Sequence, residues 1–294
     1  MTHDTFTGVF PAMTTPFDDD EQIDHDTLRA HAQRLEAAGV DGVVPVGTTG
    51  ESATMSHDEH VAVIETVADA VEDVPVIAGS GSNNTREALE LSERAAAAGA
   101  DGLLLISPYY NIPEPDGMEH HFRAVADAVD LPQIIYNVPG RTGRNIAVET
   151  AVSLAEHENV VGYKAASGDL NRTNEVIERT RSENFAVLSG DDALTLPIIA
   201  QGGSGCISVS ANVEPERTVA LVGAALAGDF DRARELQYEL GDLFRVLFAE
   251  TNPIPVNEAM EMRGVHPATM RSPLNPLQPE TRDRLRAVLE ELER

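Results

Sequence analysis

The chain has a single lysine, Lys164, beside 20 arginines. Where only positive charge is needed an arginine serves, so the surviving lysine points to a site that uses an amine. A guanidinium stays protonated in proteins, whereas burial can strip a lysine of its proton and leave a nucleophile for carbonyl carbon. Partners for such an amine are Thr48, Thr49, Tyr110 and Tyr136, whose hydroxyls can relay a proton. Together these residue types spell imine formation with a keto compound.

The elements that must bring them together are legible as alternation. Eight short apolar runs, at 8–13, 42–47, 75–80, 102–107, 132–137, 160–165, 186–190 and 205–210, alternate with amphipathic stretches at 26–38, 58–72, 85–98, 116–129, 148–157, 170–182 and 192–201. This predicts an α/β fold, a closed (β/α)8 TIM barrel. An open doubly wound sheet would carry a glycine-rich phosphate turn after its first strand, and here that turn reads TTPFDDD. The barrel is expected over 1–212 and a C-terminal helical extension packed on it over 213–294, with helices near 214–227, 230–249, 253–264 and 278–293. Catalytic side chains of such a barrel sit at the carboxyl ends of its strands. Thr48 and Thr49 follow the second run, Tyr109 and Tyr110 the fourth, Tyr136 lies on the fifth and Lys164 on the sixth, so all converge on one mouth.

Seven segments then resemble a known family: GTTGESATMSHDEH (47–60), PVIAGSGSNNTREA (75–88), SPYYNIP (107–113), LPQIIYNVPGRTG (131–143), VVGYKA (160–165), LSGDDA (188–193) and ISVSANV (207–213). They are similar to the dihydrodipicolinate synthase family (4-hydroxy-tetrahydrodipicolinate synthases) of the pyruvate-dependent class I aldolases. The resemblance runs over nearly the whole chain. It implies a lyase that condenses pyruvate with L-aspartate 4-semialdehyde to give 4-hydroxy-tetrahydrodipicolinate, in the diaminopimelate route of lysine biosynthesis. It makes Lys164 the Schiff-base residue and Tyr136 the proton donor and acceptor, with Thr48 and Tyr110 completing a relay and Tyr110 arriving from a neighbouring subunit. Thr49 is expected to hold the pyruvate carboxylate, the Ile207 backbone to contact pyruvate, and Arg141 to clamp the carboxylate of the aldehyde. The resemblance also implies a homotetramer, a dimer of dimers, and no cofactor or metal, because the protonated imine is itself the electron sink.

The pattern departs from the family in places. Ala165 follows the lysine where an acidic residue is usual, Tyr163 stands where a small aliphatic is common, and Asn257 replaces the lysine after NPIPV. Two other aldolases of this fold therefore stay open, one acting on 2-keto-3-deoxy sugar acids and one like N-acetylneuraminate lyase, with a non-catalytic pyruvate or amino-acid sensor as a third reading. Arg141 discriminates, since an amino-acid aldehyde offers a carboxylate to clamp.

The segment His57–Asp–Glu–His60 looks like a metal helix, but it lacks the i, i+4 histidine spacing of zinc proteases and has no evident third ligand. By resemblance, Ser52, Ala53, His57, His60, Asn83, Glu87 and Tyr109 match an allosteric site for free lysine. The glycines at 79–81 and 202–205 are read as turn glycines rather than a phosphate loop, and Cys206 as a small core residue.

Composition limits the partners. The formal charge is −28, from 49 acidic against 21 basic residues. A solvated acidic shell of that size repels itself at low salt, whereas at molar salt the screening length falls to about 3 Å. This is the style of a halophilic protein in a salt-loaded cytoplasm. Nucleic acid and anionic membranes, which need basic patches, are not expected partners. One cysteine allows no internal disulfide. The first residues, Met1 to Phe6, show neither the basic start nor the apolar stretch of a signal peptide, and no apolar run approaches the roughly 20 residues of a membrane span.

Overall fold

The computed structural model describes residues 6–294, so most of the stretch read for a leader lies outside the described residues. Seven parallel strands form among the described residues: β1 (Gly8–Pro11), β2 (Ile77–Gly79), β3 (Gly102–Ile106), β4 (Gln133–Asn137), β5 (Val160–Ala165), β6 (Ala186–Ser189) and β7 (Gly205–Ser208). Their order is β1-β7-β6-β5-β4-β3-β2.

The run at 42–47, expected as a full strand, fills the gap between β2 and β1 with only two parallel bridges, Val43 to Val76 and Ala12 to Val44. Pro45 has no amide hydrogen to donate, and Val46 turns into the left-handed region at φ 49°, so the ladder stops there. The ring still closes through the backbone: Val44 donates to Pro11 and Met13 to Val44, while Val43 donates to Pro75 and Ile77 to Val43. The result is a TIM barrel whose second strand is cut short.

Strand side chains alternate between two cores, as the two-residue period demands. Phe10, Ile77, Leu104, Ile134, Leu188 and Ile207 fill the barrel interior. Val9, Leu103, Leu105, Ile135, Val187 and Cys206 face the helices. Tyr163 and Ala165 belong to that outer layer, so Lys164 between them points inward.

Around the strands run α1 (His25–Ala37), α2 (His57–Ala68), α3 (Thr85–Ala97), α4 (Pro115–Ala128), the four-residue α5 (Pro139–Thr142), α6 (Val148–Ala155), α7 (Leu170–Thr180) and α8 (Thr195–Ala200). Caps set the starts of several: Asp24 for α1, Asn84 for α3, Asp169 for α7, and for α2 a full Ser56/Glu59 capping box. The helix expected at 192–201 divides into a 3₁₀ turn, Asp192–Leu194, and α8.

The C-terminal part is helical: α9 (Pro215–Leu226), α10 (Phe230–Leu247), α11 (Ile254–Met262) and α12 (Pro279–Leu292). α9 contacts β1, β7 and α8, and α12 packs on α10 and α11. Glu214 anchors this part by pairing with Arg217 and Arg263, the second of which also holds Glu293.

Candidate active site

Parallel register sets the central pair. Tyr136 on β4 is the cross-strand partner of Lys164 on β5, and both point into the barrel mouth. The Lys164 Nζ lies 4.2 Å from the centroid of the Tyr136 ring. Only 6% of Lys164 is exposed, and this burial, which disfavours the ammonium, lowers its pKa to about 7. Asp192 and Cys206 oppose that shift and Arg141 reinforces it. Burial pushes the Tyr136 phenol up, while Arg141 and a hydrogen bond with Thr48 pull it back. Near neutral pH the pair is thus an amine that is about half unprotonated beside a protonated phenol.

A cavity of about 430 Å³ opens above the amine, lined by Thr48, Thr49, Tyr136, Arg141, Lys164 and Asn252, among others. Asn252, in the turn between α10 and α11, organises it. Its side-chain Nδ2 donates to Thr49 Oγ1 at 3.0 Å, and its carbonyl accepts from Arg141 Nη2 at 2.7 Å. α5 carries Arg141 to the rim. Gly190 gives the lysine room, since a Cβ there would sit 2.9 Å from Lys164 Cε. Ile207 on β7 is buried in the barrel interior, and Val209, just past the end of that strand, lines this space.

Beside this lies a second cavity of about 520 Å³ that shares Thr48, Arg141 and Asn252 with the first. Six of the seven residues expected for an allosteric site line it: Ser52, Ala53, His57, His60, Glu87 and Tyr109. Asn83 does not line it, and its carbonyl accepts from Asn111. His57 Nε2 lies 3.0 Å from Glu87 Oε1, Ser82 also donates to Glu87, and His60 Nε2 lies 2.9 Å from the Ser52 carbonyl. A smaller space of about 40 Å³, bounded by Ser52, His60, Thr48 and Tyr136, runs between this cavity and the phenol.

Tyr110 is not brought to the lysine. It is 88% exposed and takes a left-handed φ of 67°, on a loop that also exposes Tyr109 and Ile112.

Residues 5–292 match the Dihydrodipicolinate synthetase family. A 4-hydroxy-tetrahydrodipicolinate synthase of Natronomonas pharaonis is 87% identical over 294 residues, covering 100% of both chains. The chain belongs to the dihydrodipicolinate synthetase family. Among solved structures of that family, the dihydrodipicolinate synthase of Aquifex aeolicus superposes with a TM-score of 0.96 at 45% identity, covering 98% of each chain. A dihydrodipicolinate synthase from Cyanidioschyzon merolae, solved with lysine bound, gives a TM-score of 0.95 at 37% identity and 98% coverage of each.

The departures from the family pattern take a physical meaning here. The Ala165 side chain faces the helices and not the cavity. Tyr163 is buried in the same layer, with its hydroxyl bonded to Asn137. Asn257 is fully buried and donates to the Pro253 carbonyl. Sequence reasoning did not single out Asn252, Gly190, Asp191 or Asp192 as site residues. The last three sit in LSGDDA, directly after the strand paired with the lysine strand, and that position was the signal available.

Proposed function

We propose that this chain joins pyruvate to L-aspartate 4-semialdehyde through a Schiff base on Lys164, giving 4-hydroxy-tetrahydrodipicolinate for lysine biosynthesis. The observation that carries the reading is the buried amine against the Tyr136 ring, with the Arg141 cation at the rim of the same cavity. The Lys164 lone pair attacks the ketone carbon of pyruvate, and Tyr136, bonded to Thr48, passes a proton to the oxygen that leaves as water. Loss of a methyl proton from the resulting iminium gives an enamine. Its carbon attacks the aldehyde, and the amine of the semialdehyde then closes on the imine carbon and releases Lys164. Thr49, held by Asn252, takes the pyruvate carboxylate, the backbone of Ile207 at the end of β7 contacts pyruvate, and Arg141 takes the carboxylate of the aldehyde.

Borohydride reduction in the presence of pyruvate tests this directly: an adduct on the Lys164 peptide is expected, and an unmodified peptide rules out imine chemistry. Turnover with aspartate semialdehyde against glyceraldehyde separates this reading from a sugar-acid aldolase.

The exposed Tyr110 suits a partner subunit's site, which supports a homotetramer built from dimers. Light scattering at several salt concentrations tests the assembly. A Tyr110→Phe chain that assembles normally is expected to lose turnover. The second cavity, lined by the Glu87 carboxylate that His57 and Ser82 hold, supports free lysine as an inhibitor. Unchanged activity at saturating lysine removes that reading. No helix among the described residues is long and apolar enough to cross a membrane, and a cytoplasmic location fits the biosynthetic role.

A further inference from the structure

The 3₁₀ turn after β6 buries a carboxylate that the reaction described above does not use. Asp192 is 4% exposed, and both its oxygens are occupied. Oδ1 accepts from Ser208 Oγ at 2.5 Å, and Oδ2 accepts from the amides of Val209 at 3.1 Å and Ser210 at 2.9 Å. Burial pushes the Asp192 carboxyl up, and the hydrogen bonds on both oxygens, one at the short distance of a hydroxyl on an anion, work against that and favour the carboxylate. The three donors all belong to the exit of β7, and Ser208 Oγ in turn accepts from the Ala211 amide. One side chain therefore folds the whole turn that follows β7.

That turn belongs to the lysine cavity. Val209 lines it, as do Gly190 and Asp191 immediately before Asp192. β6 lies between the lysine strand and β7: Leu188 is the partner of Lys164 on one side and of Gly205 on the other. Desolvation opposes a cation on Lys164, yet imine formation requires one: a neutral amine, a ketone and a proton become an iminium and water. The groups that act on the amine are Asp192, Cys206 and Arg141, and Tyr136, Asp191 and Glu250 line the cavity with it. Arg141 bears the wrong sign, and Cys206 is buried with its thiol pushed up.

We propose that Asp192 is a positioning residue for the Schiff-base step, fixing the β7 exit that walls the lysine cavity and placing a buried negative charge two residues beyond Gly190, whose backbone lies against the Lys164 side chain. The inference rests on the imine reading above. It assigns to Asp192 the counter-charge that Ala165, turned toward the helices, does not supply.

The test is the rate of borohydride trapping by pyruvate across pH, followed by intact mass, for the full chain and two variants, with circular dichroism to check folding. If the unsubstituted chain is not trapped, the imine reading itself fails and this inference with it. With trapping in place, Asp192→Asn removes the charge while its side-chain oxygen can still accept from the Val209 and Ser210 amides and its NH2 can donate to Ser208 Oγ. A trapping rate roughly tenfold lower is expected, with the acid limb of the profile displaced to lower pH, since loss of a negative charge lowers the amine pKa. Ser208→Ala keeps the charge and loosens the turn. There the limb stays in place while the pyruvate concentration for half-maximal trapping rises severalfold. An Asp192→Asn protein trapped at the full rate with an unmoved limb overturns the proposal, as does a Ser208→Ala limb that moves equally far. If Asp192→Asn does not fold, a Ser208→Ala protein that matches the parent in rate, limb and pyruvate dependence overturns it.

Discussion

At an ordinary lysine pKa of 10.5, roughly one amine in three thousand is free at pH 7, whereas at about 7 half are free. Burial of Lys164 is therefore worth about a thousandfold in available nucleophile, more than any single hydrogen bond in the site supplies. The sign follows: the amine gains its reactive form as pH rises through about 7, so kcat/KM should climb across that pH and level above it. A pH profile of pyruvate trapping checks this, and a limb near the ordinary lysine value would refute the buried-amine account. The Tyr136 phenol, pushed up by burial, keeps its proton throughout that range. Tyr136→Phe removes the relay without removing the ring over the amine, and its kcat should fall by about 10² to 10⁴ with Lys164 still trappable. A variant within twofold of the parent would exclude Tyr136 from proton transfer.

Among the elements, the regular ones were legible and the short ones were not. Helix starts came close because Asp24, the Ser56/Glu59 box, Asn84 and Asp169 are sequence-visible caps. α5 escaped because four residues are too few for a helical period, yet it places Arg141. The second strand was overestimated because apolar content does not reveal that Pro45 and Val46 end the ladder. Lys164 and Tyr136 could be read from strand ends, and Arg141 only from its place in the family motif. Asn252 could not, because its partners Arg141 and Thr49 lie 111 and 203 residues away and leave no local pattern. Asn252→Ala should free Thr49, while the backbone carbonyl at 252 still holds Arg141. We expect the KM for pyruvate to rise by about fivefold, as for the loss of one neutral hydrogen bond, with the KM for the aldehyde little changed and trapping of Lys164 retained. Steady-state kinetics with each substrate varied will decide; a change in kcat alone would place Asn252 outside substrate binding.

For the whole molecule, charge and burial pull in different directions as the solvent changes. With a formal charge of −28, repulsion reaches about 10 Å at 0.1 M salt and about 3 Å at 1 M. The thermal midpoint should therefore rise by several degrees between those salts, and a flat dependence in calorimetry would show that the acidic shell does not limit stability. At molar salt, where that term is screened, buried histidines should govern the acid side. Burial holds His31 at about 3 and His121 at about 4, below the ordinary 6.5 of an unfolded chain. The unfolded state thus binds the extra protons, so their contribution is whole above pH 6.5 and is lost as pH falls toward 4 and then 3. Glu51, raised to about 7 by burial, runs the opposite way and costs stability as pH climbs from 4.5 through 7. Denaturant midpoints at molar salt should drop between pH 6.5 and 4, and His121→Gln should flatten that drop.

The bond from Asn252 to Thr49 also sets an order of events in synthesis. A chain growing from its N-terminus exposes Thr49, Tyr136 and Lys164 long before Asn252 emerges to tether the first of them. A chain halted before Asn252 would carry the amine without the residue that joins Thr49 to Arg141, so the site can become whole only when most of the polypeptide has been made.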